Sequence, residues 1–157
     1  MRKHLITSTP ETVPSGAPNW LDLEQVAMVE VTSEEKRFPI ESALLLGETR
    51  GWRAASSGTQ TIRLVFDEPQ KLKHISLLFE EEQTQRTQEF VLRWSRDKGQ
   101  SFREIVRQQW NFSPPNTIRE IEEYQLELSD VTVLELIIVP DISGGTARAS
   151  LKSMRLR

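Results

Sequence analysis

The chain contains no cysteine, which removes disulfides, thiolate nucleophiles and cysteine-ligated zinc or iron–sulfur centres from the available chemistry. Histidine is almost as scarce, with only His4 and His74. No stretch approaches the roughly 20 apolar residues of a membrane span. The longest apolar patch, Leu134–Val139, is interrupted by Glu135. Charge of one sign is not in surplus either: 20 Lys and Arg stand against 23 Asp and Glu, a net of −3. That argues against broad binding to nucleic acid or to an anionic membrane, both of which require a basic excess. A local basic patch remains compatible with these numbers. The first ten residues begin basic but offer only Leu5 and Ile6 where an export signal has a longer apolar run. The expected setting is therefore soluble and cytoplasmic, with no membrane partner. The sequon-like Asn111-Phe112-Ser113 carries no weight in that setting.

What is present is a chain of 157 residues, long enough for one domain with a real core. Pro10, Pro14, Gly16 and Pro18 stand among Ser, Thr and Glu, which marks an extended leader. Asn19 is placed to cap a short helix carrying Trp20, Leu23 and Ala27 on one side. The expected organisation is a leader over residues 1–26, extended or partly helical, followed by one β domain over residues 27–157.

From residue 27 the apolar residues recur with period two, the spacing that sends alternate side chains to opposite faces of a sheet. Val29 and Val31, then Ile62, Leu64 and Phe66, then Ile75, Leu77 and Phe79 follow this rule. So do Phe90, Leu92 and Trp94, and later Tyr124, Leu126 and Leu128. Residues 131–139 are apolar on both faces, as expected of a central strand. Turn signals separate the runs at Asp67-Glu68-Pro69, Asp97-Lys98-Gly99, Ser113–Asn116, Ser129-Asp130 and Ser143-Gly144-Gly145. The spacing predicts an all-β sandwich or barrel. Two segments fit less simply. Thr117–Glu120 reads either as a capping box or as the approach to a strand at Ile121. In 102–112, Phe102, Val106 and Trp110 share a face from which Ile105 departs, so a bulge is expected.

A family resemblance rests on several of these pieces. Val29–Ser33, Pro39–Leu44, Gly51–Ala54 and Thr59–Leu64 are similar to the opening of discoidin-type domains, also known as coagulation factor V/VIII C-type domains. These in turn resemble family 32 carbohydrate-binding modules. Leu72–Leu77, followed by Phe90–Ser95, Arg96-Asp97-Lys98-Gly99 and Phe102–Val106, resembles the family's strand, Ser-x-Asp-Gly turn, aromatic and next strand. Leu134–Ile138 and Ala149–Leu156 look like its closing strands. The resemblance spans about residues 27–156. It implies a galactose-binding-like jelly-roll sandwich of about eight antiparallel strands, with Phe102 carrying its strand back onto the core. It also implies that a ligand meets loops at one end of the sandwich. Many relatives hold a structural calcium with an Asp-Gly pair after the Ala-Leu element. Here Leu45–Arg50 lacks that Asp and leaves only Glu48 and backbone carbonyls, so no cofactor is expected.

The residues offer little for catalysis. Neither histidine is placed for a Ser–His–Asp relay, and no pair of histidines has metal-ligand spacing. Glu80–Glu82 and Glu120, Glu122 and Glu123 read as solvated charge more readily than as a glycosidase pair. Binding is better supplied. Trp110 and Asn111, with Arg107 before them and a Pro114-Pro115 stiffened loop after, form one candidate, unless Trp110 closes the core instead. Arg53 beside Trp52, Arg86 on the polar stretch Glu82–Gln88, and Asp141 after Pro140 complete the candidate ligand contacts. Trp52 itself matches a position commonly buried in the family. The expected function is a non-catalytic binding module for a carbohydrate or similar polar ligand. The alternative is an intracellular scaffold for a partner protein, because Trp52–Ile62 also resembles the N-terminal domain of the single-strand-break repair scaffold.

Overall fold

A computed structural model describes residues 19–157. The expected leader falls mostly outside the described residues. Its helix is a single turn, α1 (Leu23–Val26), capped by the Asp22 carboxylate rather than by Asn19. After it come β1 (Ala27–Val31), the short α2 (Glu41–Leu44), β2 (Trp52–Arg53), β3 (Gln60–Glu80), β4 (Arg86–Ser95) and β5 (Arg103–Phe112). The chain closes with β6 (Arg119–Val139), β7 (Ser150–Leu151) and β8 (Ser153–Leu156). All named strand pairs are antiparallel, and the fold is an all-β jelly-roll sandwich of eight strands.

Two strands of 21 residues organise the sandwich. The first half of β3 lies between β1 and the second half of β6, which β4 and then β5 extend. The second half of β3 lies between β8 and the first half of β6. Each long strand thus serves both layers, passing from one to the other at a corner. The corners coincide with Asp67-Glu68-Pro69 and Ser129-Asp130, expected above to reverse the chain. Instead they bend a continuing strand. Three register shifts fall between Val65 and His74, and Asp130 takes a left-handed φ of 58°. An extra residue in a strand breaks the ladder and sharpens its twist, which is how one strand changes sheets.

Phe79 of one layer stacks on Phe90 of the other, their centroids 5.2 Å apart. Around them Ile62, Leu64, Leu72, Ile75, Leu92, Leu134, Leu136 and Phe112 are fully buried. Residues 131–139 do form a central strand. Its outward Glu135 is nonetheless 1 % exposed, because Arg63 and Arg93 on the two neighbouring strands close over it at 2.7 and 2.5 Å. The expected bulge is present: Val106 pairs with Leu92 and Glu104 with Arg93, leaving Ile105 as the additional residue. Thr117–Glu120 runs into β6 rather than forming a helical turn, and Ile121 remains 61 % exposed where a helix would have needed to bury it. Phe102 does not reach the core. It sits on the outer face beneath the Arg93 guanidinium, 4.1 Å from its ring centre.

Candidate functional site

The chain end is tied down at one end of the sandwich, where Arg157 exchanges backbone hydrogen bonds with His74. At the opposite end the β3–β4 loop, the approach to β2 and the β7 segment meet around a cleft of about 410 Å³. Its placement follows from short-range bonding. The two-residue ladder of β2 and β7 pairs Trp52 with Leu151 and Arg53 with Ser150. Trp52 is buried, and its indole N–H donates to the Ser33 carbonyl at 2.9 Å, so this aromatic is a floor rather than a platform. Gly51 turns the chain into β2 at a φ of 84°. A Cβ there would lie 3.0 Å from the Leu151 carbonyl oxygen, so the close approach needs glycine. The Arg53 backbone is bonded on both sides to the Glu35–Phe38 turn.

The cleft is lined mainly by charge. Arg148 pairs with Glu35 at 3.0 Å, Arg119 with Glu80 at 2.7 Å, and Lys152 approaches Glu80 at 3.8 Å. Arg50 and Arg53 differ: among the described residues neither makes an ion pair. Arg50 donates only to the Arg37 carbonyl, at 3.1 Å, and Arg53 lies over the Phe38 ring at 4.9 Å. The cleft therefore presents two guanidiniums with hydrogen-bonding capacity to spare. Glu81 forms part of the wall. Burial opposes its charge, but hydrogen bonds from Arg86 and from the amides of Gln83 and Thr84 hold its carboxyl below the usual range.

Of the residues singled out from sequence, Arg53 lines this cleft and the other five do not. Arg86 opens β4 and is 2 % exposed, not on an open loop; it stands behind the wall, paired with Glu81 at 2.7 Å. Arg107 lies on the outer face of its layer between Glu89 and Glu104. Trp110 points inward, packed against the core. Asn111, its neighbour on the opposite face, accepts from the Thr87 hydroxyl at 3.1 Å. Asp141 accepts from the backbone and hydroxyl of Ser143, which lowers its carboxyl. Arg50, Phe38, Arg148 and Lys152 line the cleft and were not singled out, and Glu80–Glu82, read from the sequence as solvated charge, line it too. Their common position at one set of strand ends was the available signal, and only the strand order reveals it.

Elsewhere His74 donates from Nε2 to Glu123 at 2.5 Å, while the Ser76 hydroxyl donates to the other oxygen of that carboxylate at 2.7 Å. The acid sits between imidazole and hydroxyl. A nucleophilic relay needs the imidazole in the middle. His4 lies outside the described residues. Among the described residues no three His, Asp or Glu side chains converge as metal ligands, and no helix is long and apolar enough to cross a membrane.

The topology defines a class of fold, the jelly-roll sandwich, and the cleft lies at one end of it. Comparison with solved structures specifies the fold further. The chain superimposes on the family 32 carbohydrate-binding module of C. perfringens NanJ in complex with galactose with a TM-score of 0.64 at 12 % identity, over 87 % of this chain and 96 % of that one. The family 32 module of AlyQ in complex with 4,5-unsaturated mannuronic acid gives 0.60 at 13 % identity, over 85 % and 95 %. A pectin-binding module gives 0.58 at 16 % identity, over 85 % and 91 %. The fold is also matched within a larger chain, a Ruminococcus gnavus GH29 fucosidase, of which 26 % is covered. No family model matches the sequence, and no curated protein matches it.

Proposed function

We propose that the protein is a non-catalytic module that binds a carbohydrate in the rim cleft, with preference for a sugar bearing a carboxylate. The observation that carries this reading is the pair of guanidiniums, Arg50 and Arg53, left without carboxylate partners beside the paired Arg148–Glu35 and Lys152–Glu80, with Glu82 the one other lining charge that is unpaired among the described residues. A guanidinium forms two parallel hydrogen bonds to a carboxylate, a geometry that adds selectivity as well as energy. The Phe38 ring is occupied by Arg53, so polar contacts outweigh ring stacking in this cleft. Structural likeness to modules bound to galactose and to an unsaturated mannuronic acid supports the same reading.

Calorimetric titration with galactose, galacturonate oligomers and mannuronate oligomers tests it. The acidic oligomers are expected to bind more tightly than the neutral sugar, and Arg53→Ala to weaken them roughly tenfold, the effect of losing one charged hydrogen bond. Absence of binding to all three would overturn the assignment.

A second reading, a protein-docking surface, is favoured by one feature. On the outer face of the five-stranded layer a hollow of about 400 Å³ has Val91, Ile137 and Val139 in its floor and Phe102 at its side. A stoichiometric protein partner released by Val91→Glu would favour this reading over the first.

A further inference from the structure

Among the described residues, four buried side-chain polar atoms have no hydrogen-bond partner: Arg86 Nη2, Trp110 Nε1, Glu120 Oε2 and Tyr124 Oη. All four belong to one seam between the layers. Gln88 of β4 lies opposite Trp110 of β5, and its side-chain amide donates to Glu120 Oε1 at 3.1 Å. Glu120, Glu122 and Tyr124 follow one another along the inner face of β6.

Arg86 joins this seam to the cleft. Its Nε donates to Glu81 Oε1 at 2.7 Å, and its Nη1 to the Pro140 carbonyl at 2.8 Å and to Gln88 Oε1 at 3.2 Å. The guanidinium also lies over the Phe112 ring at 4.9 Å. The second oxygen of Glu81 accepts the backbone N–H groups of Gln83 and Thr84 at 3.1 and 3.2 Å. The wall from Glu81 to Thr84 is therefore shaped by where Arg86 holds one carboxylate.

Two acids thus flank one guanidinium. Glu81 is bonded to it directly. Glu120 reaches it only through the Gln88 amide, and is 0 % exposed. We propose that Arg86 is the positioning residue of the cleft wall, and that Glu120, linked to it through the Gln88 amide, competes with Glu81 for its guanidinium. Burial, followed by the neighbouring Glu122 carboxylate, pushes the Glu120 carboxyl up to about 9. Once ionised, Glu120 becomes a buried charge that attracts the Arg86 guanidinium across the Gln88 side chain. The guanidinium is then drawn inward, and Glu81 releases the two amides it holds. The other groups facing this contest are Glu122 and Tyr124 from β6, and Asp141 beyond Pro140. Burial and the two glutamates push the Tyr124 phenol up, so it remains neutral throughout.

Any effect on binding rests on the cleft being a ligand site. The test needs no ligand, so failure here is distinct from failure of that reading. Carbon-detected NMR of the full chain follows the Glu120 carboxyl and the backbone carbons of Glu81–Thr84 while the pH is raised through about 9. The wall resonances are expected to move in one transition together with the Glu120 carboxyl. Glu120→Gln is expected to abolish that transition and leave the wall at its neutral-pH position. Arg86→Lys, which keeps the charge but loses the fork, is expected to displace the wall at neutral pH already. Wall resonances that stay flat while Glu120 titrates would overturn the proposal. So would a wall transition that survives in Glu120→Gln. The wild-type titration decides the matter even if a variant fails to fold.

Discussion

At the scale of single residues, the charged side chains divide according to what surrounds them. Glu135 is buried on an outer sheet face and shared by Arg63 and Arg93, each of which keeps more than a third of its side chain in solvent. Either arginine alone still compensates the carboxylate. Removing both strands a buried charge, a change that costs about 3–5 kcal/mol. Arg63→Ala with Arg93→Ala is therefore expected to lose more stability than the two single changes added together, as measured by urea unfolding. A strictly additive result would show that the arginines do not share the acid. Asp97 is a less buried counterpart. Hydroxyls of Ser101 and Ser95 and the Ser101 amide bring its carboxyl down to about 2 while it holds the turn at Lys98 and Gly99.

At the scale of elements, the smallest ladder sets the position of the cleft floor. The β2–β7 pair has two residues on each side, and it depends on Gly51 entering β2 with a positive φ beside the Leu151 carbonyl. Gly51→Ala adds a Cβ both where the backbone disfavours one and where there is no space for it. It is expected to cost about 1–3 kcal/mol in thermal unfolding. The far larger pair of β3 with β6 shows how pattern reading can be correct in detail and incomplete in plan. Every inward residue of Ile62–Phe66 and Ile75–Phe79 was legible from period two. That both runs belong to one strand was not legible, because Asp67-Glu68-Pro69 has the same local chemistry whether a chain reverses or bends. The difference lies in the partner: β6 accompanies β3 around the corner and keeps the ladder running on both sides of it.

At the scale of the whole molecule, stability is governed from opposite ends of the pH range by different groups. Glu81 and Asp97 have lowered carboxyls in the folded state. Their contribution is complete above the unfolded values and is lost as the pH falls through the lowered native ones, about 2 in the case of Asp97. Glu120 acts in the other direction. Between its ordinary value near 4.5 and about 9 the unfolded chain has released a proton that the folded protein keeps, so stability declines as the pH rises through that window. Glu120→Gln carries no such proton. Its melting temperature is expected to fall less than that of the wild type between pH 5 and pH 9. Parallel curves for the two proteins would show that Glu120 is ionised in both states.

The burial of Trp52 was implied by the family resemblance. The amino-acid sequence by itself determined the all-β class, the inward faces of the strands and the bulge near Ile105, because alternation and turn chemistry are local properties. It also placed Arg53 beside a buried tryptophan, which was enough to single it out. Only the tertiary structure decided which charges share a surface. Arg50 and Arg53 meet Glu80–Thr84 and Arg148 because strands distant in the chain end at the same rim, whereas Trp110 and Asn111, adjacent in sequence, face opposite sides of one strand. Arg86 shows the same rule most sharply. Nothing in its polar neighbours reveals that two layers will close over it, since burial is a property of what packs against a residue and not of the residues beside it.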